Sequence, residues 1–178
     1  HICLYFSRKL AYNIGLIIMK VLLQNLTPYD KSIKWDIHKN FFLKRGADAW
    51  LNGEVPYDIT SNSCAAYQNA LLLYHAVKEM EKNNQLGEKE KINVLELASG
   101  VGLFAINFVD QFRRICENNK VNYFKRFQYF LSDFSEKNIE DASKNIYLKS
   151  LEEKGKINFV VVDALNPTKI KKLGKNET

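Results

Sequence analysis

The sequence predicts an α/β fold built on a parallel sheet. Three short apolar runs support this, because each has the length of a buried strand. The runs begin at Ile92, Phe127 and Ile157, and each is closed by an acidic residue. The first run also leads through a glycine-containing turn into an apolar-periodic helix. That order of strand, turn and helix is typical of the opening of a nucleotide-binding α/β unit.

Residues 1–56 are predicted to form an N-terminal helical extension. Leu, Ile and Tyr lie on one side of a helical pattern over residues 1–26, and the apolar stretch 10–23 is too short and too interrupted to span a membrane. Large apolar residues recur at near-helical spacing over residues 32–51. We expect the aromatic residues here to be buried in a core rather than to recognise a substrate.

Residues 57–178 are predicted to form the N-terminal portion of the α/β domain. A turn-rich stretch precedes residues 60–63, which offer several N-caps to a helix from about Cys64 to Asn83. A helix follows the first strand, and a second follows the middle strand. The basic stretch 169–175 is expected to begin the next connection.

The turn after the first strand is the candidate ligand site. Gly100 and Gly102 lack a Cβ atom, so the backbone can turn tightly and a ligand can approach the main chain. The helix that begins near Leu103 directs unpaired N–H groups and a partial positive charge towards the turn. Because alanine tolerates positive φ poorly, we expect Ala98 to keep an ordinary backbone conformation.

Glu96 indicates which kind of nucleotide the turn would hold. It ends the first strand, where a dinucleotide would place its pyrophosphate, and a carboxylate there would repel that group. A buried carboxylate is also costly unless it meets a cation or hydrogen-bond donors. The ligand should therefore carry a positive charge and no phosphate.

Two further acids follow the second and third strands. Asp133 and Asp163 would lie at the same carboxyl edge of the sheet as Glu96, which is where open α/β sheets bind ligands. A carboxylate at the position of Asp133 can accept hydrogen bonds from both hydroxyls of a ribose. Phe134 follows it and is placed to flank an adenine.

The turn Glu96-Leu97-Ala98-Ser99-Gly100-Val101-Gly102 resembles the first motif of the class I S-adenosylmethionine-dependent methyltransferases, acid-x-Gly-x-Gly-x-Gly, with Ala98 in place of the first glycine. The stretch from Asp133 to Asn145 resembles that family's acid-x-Ser followed by a helix. The resemblance covers about residues 91–167. It implies a Rossmann-like sheet, a bound S-adenosyl-L-methionine and methyl transfer to an unidentified acceptor. It also implies that nine residues contact the cofactor: Glu96, Ala98, Ser99, Gly100, Gly102, Asp133, Phe134, Asp163 and Ala164.

The resemblance also implies that the sheet is truncated, since the family's domain continues beyond a third strand. We expect the chain to be the N-terminal part of a longer enzyme that carries the cofactor half. No catalytic base is assigned for that reason. The loop Tyr57–Asn62 is a second candidate contact, because in many of these enzymes the loop before the preceding helix reaches the cofactor.

Net charge and cysteine content indicate which acceptors and which cell compartment to expect. The net charge of +6 permits an acidic partner without requiring one, so a small molecule or a protein is favoured over nucleic acid as the acceptor. The three cysteines are scattered and show no metal-binding spacing, which indicates reduced core thiols, no metal site and a cytoplasmic protein.

Two other functions remain open at this point. Gly100-x-Gly102-x-x-Ala105 also fits the fingerprint of NAD(P)-dependent oxidoreductases, although Glu96 and the absence of glycine at position 98 argue against it. A non-catalytic, methyltransferase-like assembly protein is the second alternative, because a fold does not fix a function.

Overall fold

The computed structural model describes residues 22–55, 61–167 and 170–173. The chain divides into two compact units between Lys44 and Arg45. The predicted boundary between residues 56 and 57 stays a prediction. The helical pattern over residues 1–21 and most of the second candidate contact, residues 57–60, lie outside the described residues.

In the first unit, a 3-10 turn over Tyr29–Lys31 precedes helix α1, Ile33–Arg45, whose last residue belongs to the second unit. None of the residues of α1 is buried, and Trp35 is 40% exposed. The expectation that the aromatic residues pack in a core is therefore wrong for α1. The apolar side chains of this helix are spread around its axis, and a buried helix face needs them on one stripe.

The helical pattern over residues 32–51 is interrupted. Gly46 has φ +55, the left-handed conformation that ends many helices, and a separate short helix α2, Asp48–Leu51, follows it. Helix α3, Ser63–Lys82, matches the predicted helix closely. Its N-cap is Asn62, whose side-chain oxygen accepts a hydrogen bond from the backbone N–H of Ala65 at 2.8 Å.

The three predicted strands are present and parallel. Strand β1 is Ile92–Glu96, β2 is Phe127–Asp133 and β3 is Ile157–Val162, and they pair in that order. The prediction of an α/β, Rossmann-like fold is confirmed. The stretch expected to begin a connection instead contains β4, Ile170–Lys172, which pairs antiparallel with β3. This short strand turns straight back along β3 and so needs no crossover helix.

The helices of the second unit complete the layer over the sheet. Helix α4 is Leu103–Asn118, α5 is Tyr123–Arg126, and the predicted polar helix after β2 is split into two helices, α6 and α7. These span Glu136–Ser143 and Ile146–Glu153, and Asn145 caps the second by accepting from two backbone N–H groups.

The helices cover one face of the sheet. Tyr129 and Leu131 of β2 are fully buried on that face, against the Phe108 ring of α4 and the Leu148 side of α7. On the opposite face Leu95 of β1 is 45% exposed. Two successive right-handed crossovers place both connecting helices on the same side of a sheet, which explains this asymmetry.

The cysteines differ from their expected environment in one case. Cys116 on α4 is 1% exposed, and burial raises the pKa of its thiol to about 11. Cys64 is exposed, so the expectation of a core thiol is wrong there. Cys3 lies outside the described residues. Within the described ranges, no helix combines the length and the apolar character needed to cross a bilayer.

Candidate functional site

The turn between β1 and α4 contains three residues in the left-handed conformation: Ala98 at φ 57, Gly100 at φ 55 and Gly102 at φ 78. The expectation of an ordinary conformation at Ala98 is therefore wrong. Hydrogen bonds to the next strand hold the turn, since the N–H of Ser99 donates to the carbonyl of Ser132 at 2.8 Å. Such bonds offset the roughly 1–2 kcal/mol that a left-handed alanine costs.

Gly102 faces the core rather than a ligand. A Cβ atom there would lie 2.7 Å from Cδ1 of Leu131 and 2.8 Å from Cδ1 of Leu148. The glycine therefore lets the start of α4 approach the sheet closely, which is a packing role.

Gly100 faces outward and is covered by an indole ring. A Cβ atom at Gly100 would lie 3.0 Å from Cζ2 of Trp50, which belongs to α2. The space that the missing side chain leaves is filled by that ring. Nothing in the local sequence indicates this contact, because the two residues lie fifty positions apart.

Asp133 joins the end of β2 to the turn. Its Oδ2 atom accepts the N–H of Gly100 at 3.0 Å and its Oδ1 atom accepts the N–H of Ser135 at 2.9 Å. The residue is 3% exposed, and this burial raises the pKa of its carboxyl group while the backbone donors oppose the rise. The carboxylate therefore fixes the turn in place.

Glu96 lies under the other side of the turn. Its Oε2 atom accepts the hydroxyl of Tyr129 at 2.8 Å. Burial raises the pKa of Glu96 to about 7, against the lowering effect of Tyr129, and the nearby charge of Asp133 adds to the rise. The half-buried Glu96 and the buried Asp133 thus flank the glycine turn.

Two polar atoms beside these acids are buried and unpaired. Ser99 Oγ lies in the turn and Asn138 Oδ1 lies in the first turn of α6, and neither has a partner among the described residues. Buried polar atoms are normally hydrogen-bonded, so these two are available to the hydroxyls or amino groups of a ligand.

A cavity of about 400 Å³ opens beside β1. Asn69, Glu96 and Tyr129 form the polar part of its wall, and the rest is lined mostly by apolar side chains of α3 and α4, such as Leu73 and Phe104. A cationic group could reach the Glu96 carboxylate from this side.

The end of β3 is much more open. Asp163 and Ala164 are both exposed, and Asp163 Oδ1 accepts the N–H of Leu165 at 2.9 Å within the same loop. Phe134, beside Asp133, is half-buried. The structure thus bonds the turn to Asp133 with Glu96 directly before it, whereas the described hydrogen bond of Asp163 lies within the loop after β3.

Three residues of the site escaped the sequence analysis: Tyr129, Asn138 and Trp50. Tyr129 could have been found, because it lies four positions before Asp133 and so shares its face of β2. Asn138 lies in the first helical turn after Ser135, where it is simply one more polar residue. In the part of the chain that the structure describes, no group of three or more His, Cys, Asp or Glu residues is placed to bind a metal ion.

Comparison with known proteins gives one structural likeness. No protein-family model and no curated protein matches the sequence. A solved structure described as the crystal structure of DszA carbon methyltransferase is similar over 72% of this chain, with 18% identity and a TM-score of 0.40. This chain spans about a third, 32%, of the length of that protein.

Proposed function

We propose that the chain binds S-adenosylmethionine at the glycine turn and forms the cofactor-binding part of a methyltransferase. The observation that carries this proposal is the half-buried carboxyl group of Glu96, which ends β1 directly before the turn, accepts the hydroxyl of Tyr129 and has its pKa raised to about 7. A protein keeps an acid in such a place at a cost to its stability, which favours a functional use.

The charge of the ligand follows from Glu96. This carboxylate ends β1 directly before the turn that would hold a phosphate in a dinucleotide site, and it would repel that group. A ligand with an ammonium and a sulfonium group would instead be attracted. Glu96 therefore favours S-adenosylmethionine over NAD(P).

In this proposal, different residues bind different parts of the ligand. Glu96 holds the ammonium group, and Asp133 with the unpaired atoms of Ser99 and Asn138 holds the ribose hydroxyls. By the family resemblance, Asp163 and Ala164 meet the adenine edge, Phe134 flanks its ring, and the turn from Ala98 to Gly100 supports the nucleoside, while Gly102 packs α4 against the sheet. The bound cofactor supplies an electrophilic methyl group, and no residue of this chain is assigned as a base.

The acidity of Glu96 couples binding to proton release. With a pKa of about 7, the group is partly protonated at neutral pH. A cation beside it stabilises the charged form and lowers that pKa, so binding should release part of a proton per site. The acceptor, a small molecule or a protein in the cytoplasm, remains part of the proposal.

The test is thermal unfolding of the chain with S-adenosylhomocysteine, with NAD and with buffer alone. A ligand at about a hundred times its Kd adds about 2.7 kcal/mol to the free energy of unfolding, which shifts the midpoint by several degrees. Glu96→Gln keeps the size of the side chain and an acceptor for Tyr129, and should abolish the shift. Glu153→Gln, at an exposed position, is the matched control and should retain it.

A shift with NAD alone would overturn the proposal in favour of an oxidoreductase. Absence of a shift with either compound, in a chain shown to be folded, would favour the non-catalytic alternative. A shift with S-adenosylhomocysteine that survives Glu96→Gln would refute the role given to that carboxylate.

A further inference from the structure

The segment Gly46–Val55, here called the strap, crosses the glycine turn. It contains α2 and carries Trp50, whose indole ring lies on Gly100. It begins and ends near glycines in the left-handed conformation, Gly46 at φ +55 and Gly53 at φ +70. Both belong to the same compact unit as the turn.

The strap is folded on itself. The N–H of Val55 donates to the carbonyl of Ala49 at 2.9 Å, and Glu54 forms an ion pair at 3.0 Å with Arg45, the residue that precedes the strap. Ala49, on α2 within the strap, is fully buried. The strap therefore has a defined shape of its own and would move as one piece.

Contacts with α6 and with the glycine turn attach the strap to the rest of the domain. The N–H of Ala47 donates to Oδ2 of Asp141 on α6 at 3.3 Å, which is a long hydrogen bond. Gly46 packs against the aliphatic part of Lys137. Over the turn, the ring of Trp50 contacts Gly100.

The position of Trp50 conflicts with a ligand on the turn. The ring fills the space left by the absent side chain of Gly100, and the carboxylate bonded to that glycine, Asp133, is 3% exposed. A nucleoside could not rest on the backbone of Gly100 while the ring is there, because two groups cannot occupy one volume.

We propose that the strap is a gate, in which Trp50 closes the turn and must withdraw before a ligand binds. This inference rests on the proposed function, because it takes the ligand to be the cofactor at the turn. The two glycines supply the backbone freedom at the ends of the moving piece. The gate keeps the buried Asp133 covered when no ligand is present.

The first experiment measures the affinity for S-adenosylhomocysteine by calorimetry in the wild type, in Trp50→Ala and in Leu51→Ala. Leu51 is the neighbour of Trp50 on α2 and is 76% exposed, so its replacement leaves the closing contact intact. Trp50→Ala should bind about tenfold more tightly or better. An open state that is about a tenth populated or less lowers the apparent affinity by that fraction, and the substitution removes this penalty.

The second experiment follows Trp50 itself. The chain has two tryptophans, so Trp35→Phe leaves Trp50 as the sole indole. Binding of S-adenosylhomocysteine should make its fluorescence more easily quenched by acrylamide, since the ring leaves the turn for solvent. A ring that stacked on the ligand would become harder to quench.

The outcomes separate the two proposals. Tighter binding by Trp50→Ala alone, together with increased quenching, would support the gate. Binding by wild type with equal or weaker binding by Trp50→Ala would overturn the gate and leave the cofactor proposal standing. No binding by any of these folded variants would overturn the cofactor proposal, and the gate for that ligand with it.

Discussion

The ends of β2 and β3 look alike in the sequence and differ in the structure. Each strand is an apolar run that closes on an aspartate. Asp133 is 3% exposed and accepts hydrogen bonds from the backbone of the glycine turn and of its own helix start. Asp163 is exposed, and the bond that the described residues give it is from the N–H of Leu165 in its own loop, a residue that is 96% exposed.

The difference comes from what each strand end faces. The end of β2 lies beside the turn that starts α4, so the carboxylate there has backbone donors on two sides. The end of β3 leads into a loop before β4, and the carboxylate there accepts from a backbone N–H of that loop. An aspartate that follows a strand is therefore buried and holds a turn by hydrogen bonds where a turn lies within reach, and it is exposed to solvent where none does.

Removing each carboxylate should expose this contrast most strongly. Asp133→Ala leaves two buried N–H groups without an acceptor and should lower the free energy of unfolding by about 4 kcal/mol, at roughly 1–3 kcal/mol for each lost bond to a charged group. Asp163→Ala should cost less than about 1 kcal/mol. Urea denaturation measures both, and similar losses would contradict the contrast.

A pair of glycines sharpens the comparison at a somewhat smaller scale. Gly102→Ala adds a Cβ atom against buried leucines at φ +78, and should cost about 3 kcal/mol from strain and overpacking together. Gly155, just before β3, has a similar φ of +67 with no atom within 4 Å of that position. Gly155→Ala should therefore cost only about 1 kcal/mol, and chemical denaturation of the two variants would reveal the gap.

The free energy of unfolding should also depend on pH through Glu96, which lies beside the glycine turn. A carboxyl group whose pKa rises from 4.5 to about 7 on folding binds its proton more tightly in the folded chain. Stability from Glu96 is therefore gained as the pH falls through 7 and should differ by about 2 kcal/mol between pH 5.5 and pH 8. Glu96→Gln should remove that difference, whereas Glu153→Gln should preserve it, in unfolding curves recorded at both pH values.

The smallest effects are expected for two alanine-to-glycine substitutions, which should change the free energy of unfolding in opposite directions. Ala98→Gly relieves a left-handed alanine at φ 57, and should stabilise the fold by about 0.5–1 kcal/mol after the entropy cost of glycine is subtracted. Ala164→Gly, at the end of β3, gains no such relief and should destabilise by about 0.5 kcal/mol. Melting temperatures that move in the same direction would show that the turn does not strain Ala98.

Local sequence patterns were sufficient to predict the three parallel strands and the helices α3 and α4. The strands could be located because each is a continuous apolar run, and α3 and α4 because their apolar residues recur at helical spacing. The grouping of Glu96 with Asp133 also follows, since parallel strands end at one edge of a sheet.

The remaining features depend on contacts between distant residues. Alanine avoids positive φ in isolation, yet Ala98 adopts it because Ser99 and Gly100 are bonded to residues at the end of β2. The cover over Gly100 depends on Trp50, whose position in a helical pattern says nothing about the turn it meets. Strand β4 was missed because three residues carry little periodicity.

The two described cysteines allow the opening of α4 to be measured by thiol labelling. Cys116 sits inside α4 with its thiol pKa raised to about 11, so a thiol reagent reaches it only when that helix leaves the core. Cys64 is exposed, so its labelling rate is the rate at which the reagent modifies an accessible thiol of the folded chain. In a Cys3→Ser background, the ratio of the two labelling rates reports how often α4 leaves the core.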